Sequence, residues 1–116
     1  MAGTGAHLVA VGTLVDPPRL RAGEDGTVFV DLLVETDLGP DDAAAGAVAS
    51  RYDVRAFGEL ARNVNASLAP GGRVLVTGHL ASYLDSHAGV RLRRSRLLAD
   101  VVAASLEHAT TTITTH

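Results

Sequence analysis

Val28, Val30, Leu32 and Val34 take every second position of one stretch, and the residues between them, Phe29, Asp31, Leu33 and Glu35, are mixed. Period-two alternation puts one set on the buried face of a strand and the other on its outer face. The pattern predicts a strand over residues 28–36 with the valine–leucine set in the core. Related alternation predicts strands over 7–15, 51–57, 73–83 and 90–103. In 73–83, Val74, Val76, Gly78 and Leu80 share one face, and Arg73, Thr77, His79, Ala81 and Tyr83 share the other. At Gly58 the period changes. Leu60, Val64 and Leu68 recur every four residues and predict a helix over 59–68. Glu59 lies in its first turn, where the helix dipole favours an anion, and Pro70-Gly71-Gly72 ends it.

The breaks between these stretches have their own chemistry. Asp16-Pro17-Pro18 closes the first strand, because neither proline can donate to a ladder and both suit a turn. Residues 21–26 read as a polar loop with hairpin chemistry at Asp25-Gly26. Residues 84–89 read as a turn. The Gly/Asp/Ala-rich stretch 37–50 has no period and is expected to be a flexible loop. The Thr-rich end, 105–116, reads as a C-terminal extension, with 105–115 available as a sixth, peripheral strand. A strand running straight into a short helix, with hairpins on both sides, is how an OB barrel connects its third and fourth strands. The expected architecture is all-β: a five-stranded Greek-key OB-fold barrel, one short helix between strands three and four, and a single domain over 1–116.

The wording of the central stretch adds to its period. Phe57-Gly58-Glu59-Leu60-Ala61-Arg62-Asn63-Val64, then Ser67-Leu68 and Gly71-Gly72-Arg73-Val74-Leu75-Val76-Thr77-Gly78-His79-Leu80, resembles the bacterial single-stranded DNA-binding protein family. Val11-Gly12-Thr13-Leu14 with Asp16-Pro17 is similar to that family's first strand and turn. Residues 99–112 are similar to the closing strand of actinobacterial members. The resemblance covers about residues 7–113 and implies a homotetramer built as a dimer of dimers, bound to single-stranded DNA in replication, recombination or repair. It also implies a Gly-rich linker and an acidic tip that recruits other proteins. Residues 110–116 carry neither, so the sequence reads as a shortened chain or as a short paralogue that coats DNA without recruiting partners.

Composition changes the picture in two ways. Net charge is −3 and pI about 5.9, whereas nucleic-acid binders usually show a basic balance, so any DNA site must come from local clustering. All ten basic residues are Arg, and cysteine is absent, which removes disulfides and thiolate metal sites and fits a cytosolic protein. No apolar run approaches the roughly 20 residues of a membrane span. Residues 1–7 lack the basic start and apolar block of an export signal. The expectation is a cytoplasmic, nucleoid-associated protein without a membrane partner. No P-loop and no G-x-S-x-G elbow is present, and the five histidines lack metal-ligand spacing, so no enzyme, cofactor or metal is expected.

Single strands are bound without sequence preference by cations that track phosphates and by flat side chains on which bases stack. Arg51, Arg55 and Phe57 project together by period two, with Asp53 among them. Arg73, His79 and Tyr83 follow on the fourth strand, Arg91, Arg93, Arg94 and Arg96 are divided between the faces of the fifth, and Arg19 and Arg21 flank the first loop. The candidate nucleic-acid-binding set is Arg19, Arg21, Arg51, Arg55, Phe57, Arg73, His79, Tyr83, Arg91 and Arg93. Each has a plainer reading. Alternating arginines form solvated faces, Phe57 can lid the core, and Phe29 suits a subunit contact as well as a base. Tyr52, opposite Phe57, belongs to the core or an interface. Against the resemblance, tryptophan is absent, Arg51 stands where an aromatic is usual, and Asp31 and Asp53 bring negative charge to the face. The alternative function is therefore a degenerate paralogue, an oligomeric protein-interaction module with weak or no DNA binding.

Overall fold

The computed structural model describes residues 6–107. These form β1 (His7–Leu14), β2 (Arg19–Ala22), β3 (Val28–Thr36), α1 (Pro40–Ala44), β4 (Arg51–Phe57), α2 (Gly58–Ser67), β5 (Arg73–His87) and β6 (Val90–Ala104). The sheet order is β1-β5-β6-β4-β3-β2, and β1 also pairs with β3, which closes five of the strands into a barrel. The ladders are antiparallel except for a short parallel contact, Val54 opposite Leu97 and Arg55 opposite Leu98. The expected barrel and its helix between the third and fourth barrel strands, here β4 and β5, are both present.

Asp16-Pro17-Pro18 does more than end a strand. The chain on its far side resumes as β2, so β3 pairs with β2 along Val28 to Asp31 and with β1 from Val34 to Thr36. The N–H of Val15 reaches the Leu33 carbonyl at 2.9 Å across the break. Part of the expected polar loop is therefore strand. All four residues of β2 are exposed, so no buried face marks it in the sequence. The loop from β2 to β3 does turn at Asp25-Gly26. Asp25 accepts a hydrogen bond from the Thr27 N–H at 2.9 Å, and this bond holds its carboxyl below the ordinary range.

Barrel closure needs two close approaches of backbone. A Cβ on Gly12 would collide with the Glu35 carbonyl, where β1 passes from β5 to β3. A Cβ on Gly78 would collide with the Leu98 carbonyl, beside the register shift between β5 and β6. Only glycine fits at such corners.

The core follows the alternation. Val30, Leu32 and Val34 are buried, with Val28 packed at the edge, and Leu14, Val54, Val74, Val76 and Leu97 meet them from the other strands. Tyr52 packs against the same core, on the face opposite Phe57. α2 starts and stops one residue earlier than its periodicity predicts and buries Ala61 and Val64. No polar or charged residue among those described is buried, so all side chains with functional chemistry lie on the outside.

Three further expectations are corrected. The aperiodic stretch 37–50 contains α1, which buries nothing and so leaves no hydrophobic pattern. The turn of the last hairpin is two residues, not six. β5 continues to His87, and Ala88 (φ 52°) and Gly89 (φ 80°) make the turn, both left-handed as a type I′ hairpin requires. Residues 105–107 form no strand, and the rest of the proposed sixth strand lies outside the described residues.

Candidate nucleic-acid interface

The outer faces of β3 and β4 meet side chain to side chain. Register places Phe29 opposite Phe57, Asp31 opposite Arg55, Leu33 opposite Asp53, and Glu35 opposite Arg51. Directly opposed residues on one face of an antiparallel pair interact. Arg55 donates to both oxygens of Asp31, Nε to Oδ1 at 2.7 Å and Nη2 to Oδ2 at 3.0 Å. That bond holds the guanidinium still more firmly protonated than usual, against a smaller opposing effect of burial. The same guanidinium lies 4.1 Å from the centre of the Phe29 ring. Arg51 donates to Glu35 at 2.7 Å. Phe57, at the N-cap of α2, is 46% exposed and sets its ring 6.5 Å from that of Phe29, tilted by 53°. The two rings and the Arg55 guanidinium form a stepped shelf whose charge is largely cancelled.

Beside this shelf opens a cavity of about 250 Å³. Arg19 and Arg21 line it from β2, Asp31, Leu33 and Asp53 from β3 and β4, and Tyr83 and Arg96 from the base of the β5–β6 arm. Register puts Arg19 opposite Asp31 and Arg21 opposite Phe29. Arg96 lies over the Tyr83 ring, 4.2 Å from its centre. The ring quadrupole attracts the cation to its face, and Arg96 is half-buried there.

The arm sorts its arginines by face. Tyr83 pairs with Arg94 and Ala81 with Arg96, while Leu84 pairs with Arg93 and Ser86 with Arg91. Arg94 and Arg96 thus share the face of Tyr83, and Arg91 and Arg93 take the other face. Arg94 is held by Asp85 at 3.1 Å. The sequence-based set left out Arg96, and the missing signal was register: alternation divides Arg91 to Arg96 into two faces without saying which face carries Tyr83.

Two candidates lie elsewhere. Arg73, at the start of β5 opposite Thr13, has only 12% of its side chain exposed. Its guanidinium grips Asp37 with two bonds of 2.7 Å and Glu107 with bonds of 2.7 and 3.0 Å. These bonds, Asp37 first, raise its pKa further above the ordinary arginine value. Arg73 ties the end of β3 to the end of β6. His79 sits between His7 on β1 and Leu98 on β6, away from the cavity.

Of the ten arginines, Arg51, Arg55, Arg62, Arg73 and Arg94 each hold a carboxylate. The other five, Arg19, Arg21, Arg91, Arg93 and Arg96, make no ion pair with a described residue, and all five lie on β2 or the arm. An acidic chain can therefore carry local positive charge on β2 and on both faces of the arm. The profile of the Single-strand binding protein family matches residues 6–106.

The chain belongs to the single-strand binding protein family.

Among solved structures, this family member is similar to a small single-stranded DNA-binding protein from Streptomyces coelicolor, with a TM-score of 0.67. The two are 24% identical, and the match covers 90% of this chain and 97% of that one, a likeness that shows the shared OB fold. No curated protein matches the sequence significantly. Among the described residues, no helix is long and apolar enough to cross a membrane. No group of three or more His, Asp or Glu comes together there in a way that could hold a metal ion.

Proposed function

We propose that this protein binds single-stranded DNA without a recognition sequence. The strand runs from β2 across the Phe29–Phe57–Arg55 shelf and the cavity to the β5–β6 arm. The observation that carries this reading is the placement of the five uncommitted arginines: Arg19, Arg21 and Arg96 line the cavity beside Tyr83 and the Phe29–Phe57 shelf, and Arg91 and Arg93 stand on the other face of the same arm, around which the strand wraps. Phosphates pair with the free guanidiniums, and bases stack on rings and on the neutralised Arg55 plane. No catalytic step is proposed. The role is to coat and protect single strands during replication, recombination or repair in the cytoplasm, at the nucleoid. The folding unit is one domain.

The active form is a homotetramer, a dimer of dimers. Support comes from the outer face of β1, β5 and β6, where Val9 is 64% and Val101 52% exposed on either side of Thr77. Several modest sites on one strand then multiply through effective concentration. Native mass spectrometry tests this directly, and a monomer at working concentration overturns it.

Binding is tested by fluorescence anisotropy with oligo-dT across a salt series. Five phosphate contacts per subunit predict a log–log slope of about −3 to −4. The second reading, a protein-interaction module, is favoured by one observation: Asp31, Asp53 and Asp16 line the same cavity. It predicts no binding even at low salt.

A further inference from the structure

Asp53 is the outlier of the β4 face. Its neighbours at two residues on either side, Arg51 and Arg55, are both committed to other carboxylates, Glu35 and Asp31. Its cross-strand partner is Leu33, which offers no donor. Asp53 therefore stands exposed, with no hydrogen bond or ion pair to a described residue, on the wall of the cavity that Tyr83 and Arg96 also line.

A carboxylate there cannot face a phosphate, since like charges at contact distance repel. It can accept hydrogen bonds from a base edge. The cavity, about 250 Å³, falls below the roughly 300–1,000 Å³ of drug-sized pockets and is on the scale of a single planar ring system. Tyr83 and Arg96 line it on the arm side and Arg19 and Arg21 on the β2 side, and the Asp53 carboxylate stands at its wall without an ion pair to any of them. Cytosine, adenine and guanine carry exocyclic amino groups that donate to a carboxylate, and Asp and Glu accept in this way from the cytosine 4-amino group. Thymine shows a carbonyl at that position and one N–H flanked by two carbonyl oxygens.

We propose that Asp53 makes this cavity a base-reading pocket that favours amino-bearing bases over thymine. The inference rests on the single-strand binding proposed above and deepens it: any strand binds through its backbone and ring faces, and Asp53 ranks strands by base chemistry.

The test is anisotropy with oligo-dC, oligo-dT and an oligo-dC analogue whose bases lack the 4-amino group (2-pyrimidinone), on the full chain at one salt concentration. The wild-type protein is expected to bind oligo-dC at least about fivefold more tightly than oligo-dT, with the analogue falling to the oligo-dT level. Asp53→Asn is expected to bring the dC/dT ratio within about twofold while tightening oligo-dT binding, because a negative charge has left the groove. Equal binding of all three oligonucleotides by the wild-type protein overturns the inference and leaves the DNA reading intact. So does a dC preference that the analogue retains. Failure of every oligonucleotide to bind at low salt overturns both.

Discussion

On β4, Arg51 and Arg55 face Glu35 and Asp31 across the ladder and are neutralised by them. On β6, Arg91 and Arg93 face Ser86 and Leu84, and Arg96 faces Ala81 and lies over Tyr83, so these three charges remain uncommitted. Along the sequence the two stretches look alike, arginines at period two on strands. The difference is the residue type on the partner strand. It teaches that the number of cations on a face is a poor guide to its available charge. The β3–β4 face has become a stacking shelf, and the arm with β2 carries the usable electrostatics.

The comparison can be broken by changing either side. Replacing Arg91, Arg93 and Arg96 together with Ala should have the largest effect. The salt slope should become shallower by about 2, and affinity near 0.1 M salt should fall by about 100-fold. An unchanged slope in that triple variant would show that the arm does not contact phosphate. Tyr83→Ala comes next, with a loss of about 1–3 kcal/mol, the usual worth of one stacked base, and no change in slope. Measuring Kd at three salt concentrations separates the two behaviours.

Phe57→Ala should cost about 1 kcal/mol, the low end of the stacking range, because its ring is half exposed and shares the shelf with Phe29. The loss should be the same for each base tested, and a base-dependent loss would contradict a stacking role. The smallest effect, and the sharpest, is at Asp31. Asp31→Asn frees the Arg55 charge, so binding should tighten by about threefold and the slope should steepen by about 0.7. Weaker binding in Asp31→Asn would mean that the carboxylate is needed to hold the Arg55 plane in place, and that the shelf is worth more than the charge it cancels.

Much of the fold was legible because burial imposes a period. Val30, Leu32 and Val34 had to alternate to fill a barrel, and Leu60, Val64 and Leu68 had to recur every four residues for a helix to cover it. Elements that bury nothing left no such trace. β2 is exposed along its whole length and α1 has no buried residue, so polar chemistry alone described them, as loop. The hairpin turn misled for a related reason: Leu84–Ser86 sit on an exposed arm, where solvent does not enforce alternation, and Ala88 gives no hint that it adopts a left-handed conformation.

By itself, the sequence determined the class of fold, the core and the presence of arginine and rings on outward faces, because these depend on local period and residue type. Tertiary structure alone decided which arginines are free. Arg55 and Asp31 are 24 residues apart, and Arg73 and Glu107 are 34 apart. Nothing local in the chain says that they meet. Strand register brings each of these charges to its opposite at bonding distance, and it leaves Asp53 and the arginines of β2 and the arm, Arg94 apart, without an ion pair to a described residue. Charge pairing falls off within a few ångströms in water, so only the distances set by folding could settle it.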